Sequence, residues 1–574
     1  MSTTSDPVVF GGPDDLTPQD AAAGWLYLGK KDRRDALTAA FGRPPSPLGS
    51  RLHDQARRLR RPFLDLVAEL GRGETDQAAW WAGTLAWKDP AASDLFLLCC
   101  YQALCLQLAK ERKPLAVAVE DPWLLGQLRR DLQGAHGVAF RGEEGLAAAR
   151  LAAAALGLAR RVKWLGRMVL SRLRQDLHSG GRGPELTAPR QVLLYSHLMP
   201  RSLVGKWTDH YLTGLDEELT AAGYKVLRVA DTDVTGFEAE VAQRADTIVP
   251  LILLASPAAF LRAFLAVPPP ARPAALDGVS IDLLLRREWW HDFSRAGRCA
   301  VVLLESALEG LFKAARFEAC VYPWENQPQE RMLVLAARRA GVRTVGCQHT
   351  TLPEFMLHFF PGRGETERAP LPDRLLACGP YPLEKLRNEG IPAGRLLLGG
   401  SRRYPTAAAP RRAPAGDGVL ALLPLDPATT RTLLGAMGRL SRDKGNTIVI
   451  KSHPAMSLKN EDLGFEAELA DGPLDAVLAR CGPVVFTGTT SGIEAWLAGH
   501  PAIRFRAEAQ LDVDPCDMLG DDDLPTADEW SLPARLAELR ARPKLPGAPA
   551  LKALEGLFSP VDKELWLSAI RGTC

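Results

Sequence analysis

Residues 446–504 hold the feature that most restricts what this chain can fold into: a short apolar run emptying into a polar loop, repeated about thirty residues later. Thr447-Ile448-Val449-Ile450 is rich in β-branched residues and predicts a buried strand. It ends in Lys451-Ser452-His453-Pro454. Pro454 biases His453 away from helix and cannot join a ladder, so the polar cluster belongs to the loop leaving the strand. Val484-Val485-Phe486 repeats the device, followed by Thr487-Gly488-Thr489-Thr490-Ser491-Gly492 and the helical Ile493-Glu494-Ala495-Trp496-Leu497. A strand, a small polar loop and a helix start together present amides and hydroxyls to an anion, with the positive end of a helix dipole behind them. In open α/β sheets ligands gather at the carboxyl ends of the strands, where both loops would lie. One loop offers an ammonium and an imidazole, the other amides and hydroxyls, and the pair suits a phosphate or nucleotide diphosphate. Either loop alone reads equally well as a β–α turn whose Ser and Thr cap a helix. The expected nucleotide-binding residues are Lys451, Ser452, His453, Pro454, Gly488, Thr489, Thr490, Ser491, Gly492 and Glu494.

A chain of 574 residues is too long for one core, so two or three domains are expected. With 70 basic and 68 acidic residues the net charge of +2 gives no argument for nucleic acid. Ten cysteines are scattered without a C-x-x-C pair or a His/Cys cluster at zinc spacing, as expected for buried, reduced thiols. The start, MSTTSDPVVFGGPDD, lacks the charged and apolar stretches of a signal peptide. The best apolar run, Ile248 to Val267, is broken by Pro250, Pro257 and Arg262 and reads as a strand followed by a helix. A cytoplasmic protein is expected.

Residues 1–145 read as an accessory α/β or mostly helical region, with a helix over Asp94 to Leu108, a strand over Pro114 to Glu120 and a helix over Pro122 to Leu132. The adjacent Trp80 and Trp81 read as core. Residues 146–185 form a basic amphipathic helix and a linker. Leu151, Leu158, Val162, Leu165, Val169 and Leu173 recur at helical spacing, and seven Arg and Lys residues fill much of the rest, with no acid between Leu146 and Arg174. Such a helix either lies on an anionic membrane surface, here the inner face of the plasma membrane through residues 146–174, or packs on a domain with its arginines in water.

Residues 186–404 read as a first Rossmann-like domain. The strand Val192 to Ser196 empties into a loop with His197 and, further on, Lys206, Asp209, His210 and Tyr211. The next helix ends at Gly223, and no G-x-G-x-x-G accompanies it, so NAD or FAD is not supported. Trp289-Trp290-His291-Asp292-Phe293 either lines an acceptor cleft or packs internally. Ala319 to Tyr322 is a strand with exit loop Pro323-Trp324-Glu325-Asn326-Gln327, and the following strand exits through Gln348-His349-Thr350-Thr351. Glu325 and His349 thus fall at one edge of a sheet on consecutive strand ends. A carboxylate there serves as a general base or steadies a developing cation, and an imidazole binds phosphate or shuttles a proton. The plainer alternative is a capping Glu325 and a hydrogen-bonded loop His349. Candidate catalytic residues are Glu325, His349 and Asp209; candidate substrate-binding residues are His197, Asn326, Gln327, Gln348, Thr350 and Ser401. The Ala-, Pro- and Arg-rich run at 405–418 is an interdomain linker, and 419–574 form the second, nucleotide-binding Rossmann-like domain, with helices beyond about 545 returning toward the first.

These motifs resemble a known clan. K-x-H-P (Lys451 to Pro454) followed by a strand and G-T-T-S-G-I-E-A (Gly488 to Ala495) resembles the bacterial capsule and surface-polysaccharide glycosyltransferases: Kdo transferases, HP-motif sialyltransferases and, more distantly, CDP-glycerol glycerophosphotransferases. W-E-N-Q-P-Q-E-R (Trp324 to Arg331), G-x-Q-H-T (Gly346 to Thr350) and the early Trp80-Trp81 look like a surface carbohydrate biosynthesis family of that clan. The resemblance spans roughly residues 75–510 and implies a GT-B-like α/β fold, two Rossmann-like domains facing a cleft, with the N-terminal region added. It implies that His453 and Lys451 meet the phosphate of a CMP or CDP donor, that Thr489, Thr490 and Ser491 cradle it, and that Glu325 lies near the reacting sugar. The acidic D/E-D/E-G motif of the sialyltransferases has no clear copy: Asp216-Glu217-Glu218 lacks the glycine and lies in a helix, which leaves the base, and inversion or retention, open.

The expected function is transfer of a sugar, a 2-keto acid such as Kdo or sialic acid, from a CMP-activated donor to a glycan or glycolipid acceptor during capsule, O-antigen or lipopolysaccharide synthesis. No metal and no cofactor is expected, since His453, Lys451 and a helix N-terminus neutralise the leaving phosphate. The alternatives are a sugar-nucleotide 2-epimerase and a non-catalytic polysaccharide-assembly protein.

Overall fold

The computed structural model describes residues 8–30, 33–181, 186–196, 209, 211–232, 234–403, 416–442, 446–453, 456, 458–520 and 522–574. The predicted site residues His197 and Pro454, and the loop residues Lys206 and His210, lie outside them.

The first 145 residues contain a sheet that local patterning gave only in part. Strands β1 (Val8–Gly11), β2 (Trp25–Leu28), β3 (Leu115–Val119) and β4 (Val138–Phe140) pair in the order β2-β3-β1-β4, all parallel. β3 is Leu-Ala-Val-Ala-Val, continuous apolar sequence of the kind a strand covered on both faces requires. Asp121 then starts the helix Pro122–Asp131, its Oδ1 accepting from the N–H groups of Trp123 and Leu124 at 2.9 and 3.1 Å, with proline in the first turn where no N–H is needed.

The middle of the chain forms a seven-stranded parallel sheet. Its strands are β5 (Gln191–Leu194), β6 (Lys225–Ala230), β7 (Ile248–Pro250), β10 (Ala319–Pro323), β11 (Arg343–Cys347), β12 (Arg374–Ala377) and β13 (Leu396–Leu398); a small antiparallel ribbon, β8 (Ala275–Leu276) and β9 (Val279–Ser280), stands apart. The order is β13-β12-β11-β10-β5-β6-β7. The C-terminal sheet joins β14 (Gly418–Leu422), β15 (Ile448–Lys451), β16 (Glu468–Leu469), β17 (Cys481–Phe486), β18 (Ala502–Phe505) and β19 (Thr526–Ala527) in the order β16-β15-β14-β17-β18-β19. Counted from its own first strand, each of these sheets runs 3-2-1-4-5-6 through its first six strands. This is the doubly wound order, whose direction of growth reverses between strands 1 and 4. The chain therefore has the GT-B-like architecture of two Rossmann-like units, with a smaller parallel α/β unit ahead of them.

The units are tied together by side chains. Lys88, at a left-handed backbone position, forms an ion pair with Glu365 at 2.7 Å with both side chains buried, and its Nζ also donates to the Phe360 carbonyl at 3.0 Å. On the other side, the segment after β18 runs along the N-terminal unit: the Leu48 N–H donates to Glu508 Oε2 at 3.0 Å, Gln510 Nε2 to the Gly29 carbonyl at 3.2 Å, and the Asp512 N–H to His53 Nε2 at 3.2 Å. The last helix, Lys563–Arg571, crosses back to the middle sheet, where Trp566, Ala569 and Ile570 bury against Val192, Leu194, Val321 and Val345. Nine of the ten cysteines are buried and Cys574 is exposed; all are free thiols.

Candidate active site

The reversal points of the two doubly wound sheets fix where a ligand can sit. In the middle sheet the reversal falls between β5 and β10, and the β10 exit loop is Trp324-Glu325-Asn326-Gln327. In the C-terminal sheet it falls between β14 and β17, and the β17 exit loop is Thr487 to Ser491. β11 and β15, the adjoining strands, supply His349 and the Lys451-Ser452-His453 cluster.

The β10 exit loop is held hard. Asn326 has φ +54°, a conformation that β-branched side chains avoid and Asn tolerates through local hydrogen bonding. Its Nδ2 donates to the His358 carbonyl at 2.6 Å, and Arg331 Nε donates to its Oδ1 at 3.3 Å. Arg331 is itself buried, donates to the Ala86 carbonyl at 2.8 Å and lies 5.0 Å over the Trp81 ring. Trp81 therefore braces this loop from behind, through Arg331. Glu330, a buried carboxyl in the first turn of the helix Pro328–Arg339, accepts from the Glu325 N–H at 2.9 Å and the Gln327 N–H at 3.4 Å. Burial, and then the charge of Glu325, push Glu330 well above the usual carboxylate range, while the N–H groups of Glu325, Gln327 and Asn326 pull it back. Gln327 Nε2 donates to Glu325 Oε2.

Glu325 is half-buried, and its Oε1 lies 3.3 Å from Nε2 of the buried His349. The Tyr211 ring stacks on the His349 imidazole, centroids 4.6 Å apart and planes inclined by 23°. Above Tyr211 lies the Arg403 guanidinium, 5.8 Å from the ring centroid. Arg403 in turn acts electrostatically on Glu494, in the helix Ser491–Leu497 that follows the β17 exit loop. Burial raises the Glu494 carboxyl, the Arg403 charge pulls it back, and Asp475 adds to the rise. A stack Glu325–His349–Tyr211–Arg403 thus rises from the β10 and β11 exits, and the Arg403 charge is felt at Glu494 beyond the β17 exit loop. Sequence reasoning left Arg403 unassigned beside the linker run; its neighbour Arg402 turns inward, 4.3 Å over Trp566 and 2.6 Å from Glu218.

The β17 exit loop depends on two glycines. Gly488 has φ +57°, the left-handed region, and a Cβ there would lie 3.2 Å from Pro424 Cβ. At Gly492 a Cβ would lie 2.1 Å from the Phe486 ring. Thr489 Oγ1 accepts from the Ser491 N–H at 3.3 Å, and Thr489, Thr490 and Ser491 are all half-buried. Lys451, Ser452 and His453 are half-buried at the next strand end, with Lys451 Nζ donating to the Gly472 carbonyl at 2.7 Å.

The other predicted residues take more internal places. Asp209 Oδ1 accepts from the N–H groups of Tyr211 and Leu212 at 2.8 and 2.9 Å, which sets the Tyr211 backbone. Gln348 is fully buried; its Oε1 accepts from the Cys378 N–H at 3.0 Å and its Nε2 donates to the Thr350 carbonyl, so it stitches β11 to β12. Thr350 is half-buried, and Ser401 is buried with its N–H donating to the Ser559 carbonyl at 2.8 Å. Asp216 and Glu218 pair with Arg228 and Arg402, at 2.5 and 2.6 Å. Trp289 stacks on Phe293 at 5.5 Å and donates to the Pro268 carbonyl at 3.1 Å. Among the described residues no group of three or more His, Cys, Asp or Glu converges as a metal ligand set.

No protein-family model and no curated protein matches the sequence. Solved structures do. A glycotransferase of kitacinnamycin aligns at 17% identity over 67% of this chain and 97% of that one, with a TM-score of 0.34. MurG of Acinetobacter baumannii aligns at 11% identity over 67% of this chain and 100% of its own, TM-score 0.38. A UDP-GlcNAc 2-epimerase from Neisseria meningitidis bound to UDP-GlcNAc aligns at 10% identity over 66% and 99%, TM-score 0.36.

Proposed function

We propose that the protein is a glycosyltransferase that moves a sugar from a nucleotide-activated donor to a glycan or glycolipid acceptor in the synthesis of surface polysaccharide. The observation that supports this reading is the stack from Glu325 to Arg403, a carboxylate–imidazole pair with a guanidinium above it whose charge acts on Glu494 beyond the β17 exit loop. In this reading Glu325 takes the proton of the acceptor hydroxyl as its oxygen bonds to the anomeric carbon of the donor sugar. The bond from that carbon to the phosphate oxygen breaks, and the nucleotide leaves with the electron pair. His349 orients Glu325. Lys451, His453, Arg403 and the hydroxyls of Thr489, Thr490 and Ser491 neutralise the departing phosphate, electrostatic stabilisation that needs no resident cofactor. The donor is a CMP-linked 2-keto sugar acid, on the strength of the K-x-H-P and G-T-T-S-G motifs.

Thermal stabilisation by CMP, CDP, UDP and GDP tests the reading, because a ligand that binds only the native state raises the melting temperature. CMP should stabilise most and His453→Ala should abolish the effect. A UDP-selective response with acceptor-free turnover would replace transfer by 2-epimerisation. Silence from all four nucleotides would leave a non-catalytic assembly protein.

A further inference from the structure

The helix Leu146–Ser179 leaves much of its apolar side-chain surface in water. Its 34 residues span about 50 Å at 1.5 Å per residue. A surface helix ordinarily buries its apolar stripe and shows its polar face to solvent. Here Arg161, Ser171 and Gln175 share the buried face with Trp164 and Met168, while most of the leucines and valines stay outside. Arg161 is buried, its Nη1 donating to the carbonyls of Ala266 and Phe264 at 2.6 and 2.9 Å while the guanidinium lies 4.3 Å over the Phe293 ring. Ser171 Oγ donates to Glu238 Oε1 at 2.7 Å, and Gln175 is buried beside Ser179. Gly157 lets the helix close on its neighbour: a Cβ there would meet the Phe293 ring at 2.8 Å.

The apolar stripe faces out. Leu151, Leu158, Val162, Val169, Leu173 and Leu177 are all exposed, Leu151 and Leu177 to 73% and 79%. The segment whose carbonyls Arg161 binds adds Leu261, Leu265 and Val267, each more than half exposed. An apolar surface of this extent marks an interaction site. Its flanks carry exposed Arg160, Lys163, Arg167 and Arg174, with no acid between Leu146 and Arg174. That charge decides the occupant. A second copy would bring cations against cations, whereas the headgroups of an anionic bilayer complement them while its acyl region takes the leucines. Among the described residues no helix is long and apolar enough to cross a membrane, so the arrangement is one of lying in the surface.

We infer that the exposed stripe of Leu146–Ser179, with the adjoining Leu261 to Val267, docks the protein on an anionic lipid bilayer. The helix meets the loop after β6, Arg167 Nε donating to Thr235 Oγ1 at 2.6 Å, and β6 is separated from β10 by β5 alone. On the sugar-transfer reading proposed above, such docking favours a lipid-borne acceptor; the docking itself does not depend on that reading.

Flotation of the full chain with vesicles tests the inference, without nucleotide. Phosphatidylglycerol-containing vesicles should carry at least tenfold more protein than pure phosphatidylcholine. Leu158→Glu/Leu173→Glu/Leu177→Glu should lose that binding with an unchanged melting temperature, and Lys163→Glu/Arg174→Glu should weaken it severalfold. Equal flotation of wild type and triple variant, no preference for anionic lipid, or a wild-type dimer that the triple variant dissociates would each overturn it. If flotation behaves as expected while no nucleotide binds, the transferase reading falls and the docking surface stands.

Discussion

The Tyr211 ring lies on the His349 imidazole with centroids 4.6 Å apart, and the carboxylate of Glu325 meets the far nitrogen of that imidazole at 3.3 Å. The stack fixes the plane of the ring, and the plane fixes the direction in which Nε2 points. In the proposed transfer this neighbour, itself held by the stack, keeps the half-buried Glu325 carboxylate in reacting geometry. Glu325→Gln should lower kcat by about 10²- to 10⁴-fold, the typical contribution of a positioned proton acceptor. Tyr211→Phe should retain most of the activity, because the stack survives, and Tyr211→Ala should lose it with little change in nucleotide affinity. Steady-state kinetics beside a nucleotide titration separates the two effects.

Gly492 sits where a methyl group would enter the Phe486 ring. Gly492→Ala should cost about 1–3 kcal/mol, the usual range for an overpacked site, and should displace the Thr489–Ser491 loop. Urea unfolding measures the first effect and loss of nucleotide-induced stabilisation the second. A variant of wild-type stability that still binds nucleotide would show that the helix start moves freely.

Lys88 and Glu365 join the N-terminal unit to the middle sheet through a buried ion pair. Removing one partner leaves a buried charge uncompensated, so Lys88→Met should destabilise by about 3–5 kcal/mol. Lys88→Met/Glu365→Leu should recover a large part of the loss, because no charge is then left alone. Chemical denaturation of the single and double variants decides this.

Glu508 accepts from the Leu48 N–H across the opposite contact, and its carboxyl is raised to about 7. Burial is the chief cause; the Leu48 N–H lowers it, Asp528 and Glu529 raise it, and Arg34 lowers it. A carboxyl whose folded pKa lies above its unfolded value binds more protons when folded, so its contribution is complete below about 4 and is lost as pH rises to about 7. Glu508→Gln should therefore be more stable than wild type at pH 8, with the advantage shrinking toward pH 5. Melting temperatures across that range test the sign.

Much of the two doubly wound sheets was legible, because each strand is a compact β-branched or leucine-rich run bounded by Gly, Pro or a polar loop. Glu325 and His349 were legible for the same reason: they follow consecutive strands and so had to share an edge. The N-terminal sheet was less so, since β2 and β3 pair across a long interval filled by helices, and no local pattern records a partner that distant. Tyr211 was one of several polar-loop residues with no role of its own, and Arg403 borders an Ala-, Pro- and Arg-rich run that reads as linker. Gln348 looked like a substrate ligand because it precedes His349, but it is buried and spends its amide on the Cys378 N–H and the Thr350 carbonyl. The long helix shows the limit most plainly. Its period announced an apolar face, yet whether that face is inward depends on Arg161 finding two carbonyls on another segment, which no spacing rule contains.

The helix Lys563–Arg571 has a consequence for the order of events during synthesis. Its Trp566, Ala569 and Ile570 cover one face of β5, β10 and β11, strands made hundreds of residues earlier. Until the ribosome has released residue 571, that face is covered only in part, by Leu212, Leu215, Leu219 and Tyr224. The nascent chain must carry this incomplete cluster through translation of the entire C-terminal unit, and only its last helix completes the middle domain.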